Sequence, residues 1–301
     1  MNNFSSIKDL QEQVRGYRPI VALLPDHWTR STYTASDGAQ LAYLRTGGAK
    51  PPLILLHGFQ AAAVSWLRVA QALEADYDCV MADFRGHGHS NGVTENFDLP
   101  RITDDIMDLM RELALDKVAV IGHSMGAEVA GRLAAAYPEA VRAIVLIDPP
   151  MQAFTMPQTD ETAPWLERWL ETMQALKSQP HEERLLSALH LMPPGVSLWE
   201  EADFVPLVEG MAHLNLDILM QFNTVNYAIV RPEIIDGIQC SILLLLGDPD
   251  RGGSATSDGT AAFIARGEQC QIVRLDTGHF VHVDALDSVL EAITAFLAAQ
   301  T

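Results

Sequence analysis

The feature that most restricts the fold is a series of continuous apolar runs, most of them separated by stretches with helical periodicity. The runs are Pro52–Leu56, Cys79–Ala82, Val118–Ile121, Ala143–Ile147, Ile242–Leu246 and Ile272–Leu275. Alternate side chains of a strand point to opposite sides of its sheet, so a strand that is apolar throughout must be covered on both faces. Val64–Leu73, Ile102–Leu113, Ala127–Tyr137, Thr260–Ala265 and Val289–Leu297 supply the helical stretches. Strands alternating with helices define the α/β class, with a mostly parallel sheet and helices on both faces.

Two segments depart from the alternation. Thr32–Ala35 and Leu41–Thr46 flank Ser36-Asp37-Gly38, whose Asp-Gly favours a tight turn between antiparallel strands. From about Met151 to Gly237 there is no strand-like run. Instead Trp165–Leu176, Glu182–Leu191 and Val205–Leu214 read as helices, punctuated by Pro157, Pro164, Pro180, Pro193, Pro194 and Pro206. Such an insertion lies over the carboxyl edge of the strands, where open α/β sheets place their ligands. The expected organisation is an N-terminal helical extension (1–29, with Phe4, Ile7, Leu10 and Val14 at helical spacing), a core (30–150 and 238–301) and an inserted helical cap (151–237).

Composition narrows the partners. The 301 residues carry 39 acidic and 20 basic side chains, a net charge of -19. A surface that acidic repels phosphate backbones and anionic membranes, which disfavours nucleic acid and membrane partners and leaves a small molecule as the expected one. Cys79, Cys240 and Cys270 form no Cys-x-x-Cys pair and read as free thiols of a reducing compartment. No window approaches the ~20 apolar residues of a membrane span, and the first residues lack the apolar core of a signal peptide. The expected location is the cytoplasm.

The run Val118–Ile121 leads into Gly122-His123-Ser124-Met125-Gly126 and then a helix-forming stretch. Gly-x-Ser-x-Gly at a strand-to-helix junction is a nucleophile elbow: the glycines permit a sharp turn that projects the serine above the sheet. The helix aims its N-terminal N–H groups at the same point.

GHSMG after a strand, LLHGF after an earlier one, DFRGHGHS, and a late GHFVH together resemble the α/β-hydrolase superfamily in its helical-cap branch. The resemblance covers roughly residues 40–150 and 238–300. It implies that Ser124 is the nucleophile and that His279, at the late Gly-His step, is its base, rather than His282. A carboxylate must hold the imidazole in the useful tautomer. The family pattern Gly-x-x-Asp after the strand Ile242–Leu246 picks Asp250, with Asp248 and Asp148 as the other candidates. The loop that follows, RGGSATSDG, is unusually rich in glycine and serine. The oxyanion donors implied are the backbone N–H groups of Met125 and Phe59, with His57 ordering the loop that carries Phe59.

Other signals carry less. His87 and His89 lack further ligands nearby, so no metal is expected. No glycine loop has dinucleotide or phosphate spacing, and no cofactor is expected. Glu128 and Arg132 are spaced for a helical ion pair. Trp165, Trp169 and Trp199 are the candidates for lining a substrate pocket, and Arg231 is a candidate for recognising a substrate carboxylate. The expected activity is hydrolysis of an ester or lactone, with a mostly apolar substrate, through an acyl-serine. Carbon–carbon or amide hydrolysis, perhydrolysis, or a ligand receptor with slow turnover are the alternatives. The aspartate that haloalkane dehalogenases and epoxide hydrolases carry at the elbow is replaced here by Ser124.

Overall fold

The computed structural model describes residues 7–90, 97–152, 164–191, 199–218, 228–229 and 231–300, the side chains of 7–8 and 164–167 excepted. Eight strands form one sheet: β1 (Thr29–Thr34), β2 (Gln40–Arg45), β3 (Pro52–Leu56), β4 (Asp78–Ala82), β5 (Val118–His123), β6 (Val141–Ile147), β7 (Ser241–Leu246) and β8 (Cys270–Arg274). Their spatial order is β1-β2-β4-β3-β5-β6-β7-β8. The hairpin β1–β2 joins β4 antiparallel, and every other pairing is parallel. All six apolar runs are strands, and five of them, β3 to β7, are buried along nearly their whole length.

Helices cover the sheet as the alternation requires. Helix α1 (Ile7–Arg15) precedes the sheet, α2 (Leu67–Leu73) follows β3, α3 (Leu99–Glu112) follows β4, and α4 (Met125–Ala136) follows β5. Helices α3 and α4 pack on each other, and α2 packs against the last helix, Leu286–Ala298. The chain runs from β3 to β4 on one side and then crosses to β5 on the other side of β3. That reversal opens the crevice beyond the strands' carboxyl ends.

Between β6 and β7 lie α5 (Pro164–Ser178), α6 (His181–Leu189) and α7 (Glu201–Ala212). Helix α5 packs on α6 and α7, α6 on α1, and α7 on α2 and the turn Ala63–Trp66. Helix α7 lies so close to the loop after β3 that a Cβ on Gly210 would stand 2.8 Å from the Ala61 backbone. The insertion therefore touches the loop that borders the crevice. Residues 153–163, 192–198 and 219–227, with Pro157, Pro193 and Pro194 among them, lie outside the described residues.

Candidate active site

Ser124 stands between β5 and α4 with φ 53° and ψ -119°, a backbone conformation unfavourable for any residue with a side chain. Such geometry costs about 1–3 kcal/mol and persists only when the surroundings enforce it. Here the Ser124 N–H donates to the Ile147 carbonyl (2.9 Å), tying the elbow to β6. The flanking glycines follow from close approach. A Cβ on Gly122 would overlap the Gly126 backbone, and one on Gly126 would overlap the Leu56 carbonyl. Met125 opens α4, in the turn whose amides have no intrahelical acceptor.

The loop after β3 meets this elbow. A Cβ on Gly58 would lie 3.2 Å from the Ser124 Cβ and 3.0 Å from His123 Nδ1, so a larger residue there would press on the elbow. His57 holds the loop from behind. The Phe84 N–H donates to His57 Nε2 (3.1 Å), which fixes the proton on Nδ1, and Nδ1 donates to the Gly58 carbonyl (2.7 Å). Burial holds this imidazole well below its ordinary pKa, so it is neutral and both nitrogens are engaged. Asp83 performs a similar task one strand away, accepting from the Ala63 N–H (2.7 Å) and the His89 N–H (3.0 Å).

His279 follows β8, and its carbonyl lies 3.0 Å from His123 Nε2, next to the elbow. Its Nδ1 lies 2.6 Å from Asp148 Oδ2. The sequence favoured Asp250 for this partner, and the structure corrects that choice. Asp148 directly follows β6, is fully buried, and accepts from the Gly247 N–H (3.1 Å) and the Ser254 N–H (2.8 Å) as well as from His279. Asp250 lies in the exposed 3-10 turn Pro249–Arg251, its N–H given to Asp248 Oδ1 (2.9 Å), and Asp248 serves as that turn's cap. Ser254, which the sequence did not single out, also brings its Oγ to 3.1 Å from His279 Nδ1. The glycine- and serine-rich loop was the only signal for it.

The other sequence candidates fall into two groups. His282 is buried, its ring tilted against those of Trp66 (5.0 Å) and His123 (4.5 Å), and pushed down to about 3 by burial and by His279. Trp199 is buried, edge-on to Phe280 (4.7 Å), and donates from Nε1 to Asp284 Oδ1 (2.9 Å). Both line a small, partly open cleft bordered by Gly58 and by His123, the chain neighbour of Ser124. Trp169 packs against the core instead and is not part of that lining. The Trp165 side chain lies outside the described residues. Glu128 is fully buried and paired with Arg132 (2.8 Å) on α4. Arg231 faces Glu233 (3.9 Å) and the Glu128 carboxylate rather than the cleft. His87 sits in an aromatic nest with Phe59 and Phe97, while His89 stacks on His213.

Sheet order and elbow together are those of the α/β-hydrolase fold. The family model for the alpha/beta hydrolase fold matches residues 51–196. Among curated proteins the chain is similar to an N-formylmaleamate deformylase of Pseudomonas putida, 33% identical over 132 residues, covering 44% of this chain and 49% of the relative. It is also similar to a magnesium-chelatase 30 kDa subunit of Rhodobacter capsulatus, 27% identical over 271 residues, covering 84% of this chain and 89% of that one. The chain spans about a third to a half of the length of the curated relatives it matches at higher identity. A solved structure of the N-formylmaleamic acid deformylase of Pseudomonas putida S16 superposes with a TM-score of 0.70 at 21% identity, covering 88% of this chain and all of that one. Among the described residues no helix is long and apolar enough to cross a membrane.

Proposed function

We propose that the protein is a serine hydrolase that cleaves a carboxylic ester or lactone through an acyl-serine intermediate. The observation that carries the reading is the 2.6 Å bond from His279 Nδ1 to the buried Asp148 carboxylate, beside a serine in elbow geometry. With its Nδ1 proton given to Asp148, His279 offers Nε2 as the base. Ser124 Oγ attacks the acyl carbon while Nε2 takes its proton, and Asp148 stabilises the imidazolium. The N–H groups of Met125 and Phe59 receive the oxyanion, at a few kcal/mol per donor. The imidazolium then returns its proton to the leaving alkoxide. Water, deprotonated by the same nitrogen, frees the acid and restores Ser124.

Residues 151–237 act in this reading as the cap that decides which acyl group enters. Its support is the packing of α7 on the loop after β3 and the place of Trp199 in the cleft wall. The long match to a protein named as a magnesium-chelatase subunit rather than as a hydrolase favours a second reading, a ligand receptor with vestigial turnover. Turnover separates the two. A hydrolase releases many product equivalents per protein from an accepted ester, and Ser124→Ala abolishes this with the fold intact. Near-native kcat in that variant would refute the scheme.

A further inference from the structure

We propose that the site accepts an uncharged acyl group and rejects one that carries a carboxylate. This rests on the hydrolytic reading above and concerns the substrate class of the same site. The polar wall of the cleft is made by His57, His123, His282, Ser65 and Asp203, and among the described residues it includes no lysine or arginine. The three imidazoles are buried and held below their ordinary range by desolvation, so they stay neutral near neutral pH. His57 and His123 already spend ring nitrogens on Gly58, Phe84 and His279, and a neutral imidazole cannot neutralise an anion.

The one wall residue that carries a charge has the wrong sign for an anion. Asp203 is part-buried, and its carboxylate already holds Arg68 (2.5 Å), which also reaches toward Glu200 (3.8 Å). Other cations around the insertion are similarly engaged: Arg184 with Glu209 (2.8 Å), Arg231 with Glu233 (3.9 Å) and Arg251 with Asp276 (2.8 Å). Arg168 and Lys177 lie exposed on α5. The stretches 153–163, 192–198 and 219–227 contain no lysine or arginine in the sequence, so they bring no cation to the site. A substrate carboxylate entering the cleft would be desolvated without a partner, which is prohibitive relative to an uncharged isostere. The net charge of -19 opposes its approach as well.

The test uses the full chain and begins with an alkyl fluorophosphonate, which should label the wild type and not Ser124→Ala. Next, kcat/KM is compared for p-nitrophenyl pentanoate and the half-ester p-nitrophenyl hydrogen succinate, at low and high salt. The expected result is a preference for the neutral ester of about 100-fold or more, with salt narrowing only its long-range part. Asp203→Asn, which removes the wall carboxylate and frees Arg68, should shift the ratio toward the anionic ester by about tenfold. Parity, or preference for the anionic ester, would overturn the proposal and leave the hydrolase reading standing. A ratio unmoved by Asp203→Asn would overturn the assignment of the wall. Failure of both labelling and turnover would instead remove the hydrolytic reading, and the proposal with it.

Discussion

Three groups converge on His279 Nδ1 and its partner: Asp148 Oδ2 accepts from the imidazole, the Ser254 N–H donates to that same oxygen, and Ser254 Oγ lies within hydrogen-bond reach of the imidazole. The carboxylate therefore has its position fixed by the backbone, independently of the histidine. Asp148→Asn should lower kcat on an accepted ester by about three to four orders of magnitude, as loss of the orienting acid does in such triads. Asp250→Asn should leave kcat within about twofold, since an exposed side chain away from special features contributes little. Steady-state kinetics with a fold check by circular dichroism decides between them, and the reverse pattern would return the acid to the loop after β7. Ser254→Ala should cost less, about tenfold or under, because it removes one neutral hydrogen bond and leaves the backbone donor. Ser254→Thr, which keeps the hydroxyl, should recover the loss.

At the scale of elements, the helical insertion meets the core through α7 and through Trp199, whose indole N–H is held by Asp284 in the short helix after His279. Trp199→Leu should change relative kcat/KM across a series of acyl lengths by about 1–3 kcal/mol per methylene of misfit. Trp169→Leu, in the core of the same helices, should lower the melting temperature and leave the selectivity profile flat. Equal profiles for both variants and the wild type, with activity intact, would refute a Trp199-lined pocket. Much of this architecture was legible in the sequence, because a strand covered on both faces must be apolar throughout and because the elbow glycines have no substitute at that contact distance. Which carboxylate meets His279 was not legible for a geometric reason. Strands β6 and β7 pair in register, Ile147 opposite Leu245, so the residues following either strand arrive at one edge. Spacing along the chain cannot tell Asp148 from Asp250 there; the outward 3-10 turn after β7 decides it. Ser254 was hidden for a related reason, since only the folded loop brings it back to the histidine.

Considered as a whole molecule, the core carries an unusual load of neutral buried histidine: His57, His87, His123 and His282 are each at most 5% exposed. Desolvation holds all four below the ordinary value, His87 at about 4 and His282 at about 3. A group with a depressed folded pKa stays unprotonated in the native state while its unfolded counterpart, near 6.5, takes up a proton. Its contribution to stability is intact above pH 6.5 and is lost as pH falls toward the folded value, by up to about 1.4 kcal/mol per unit. Buried carboxylates oppose this: burial raises Asp83, Asp105 and Glu128, and such groups favour the native state as pH falls. The wild-type curve therefore mixes two signs, and a difference measurement isolates one. His87 is suited to it, because its Nε2 has no hydrogen-bond partner among the described residues and its ring neighbours are His57, Phe59, Phe84 and Phe97. His87→Phe should flatten the loss of stability between pH 6.5 and about 4, narrowing the gap at pH 5 by about 2 kcal/mol relative to pH 7. Urea denaturation of both proteins at each pH measures it, and a difference independent of pH would mean that His87 is not held neutral by the fold.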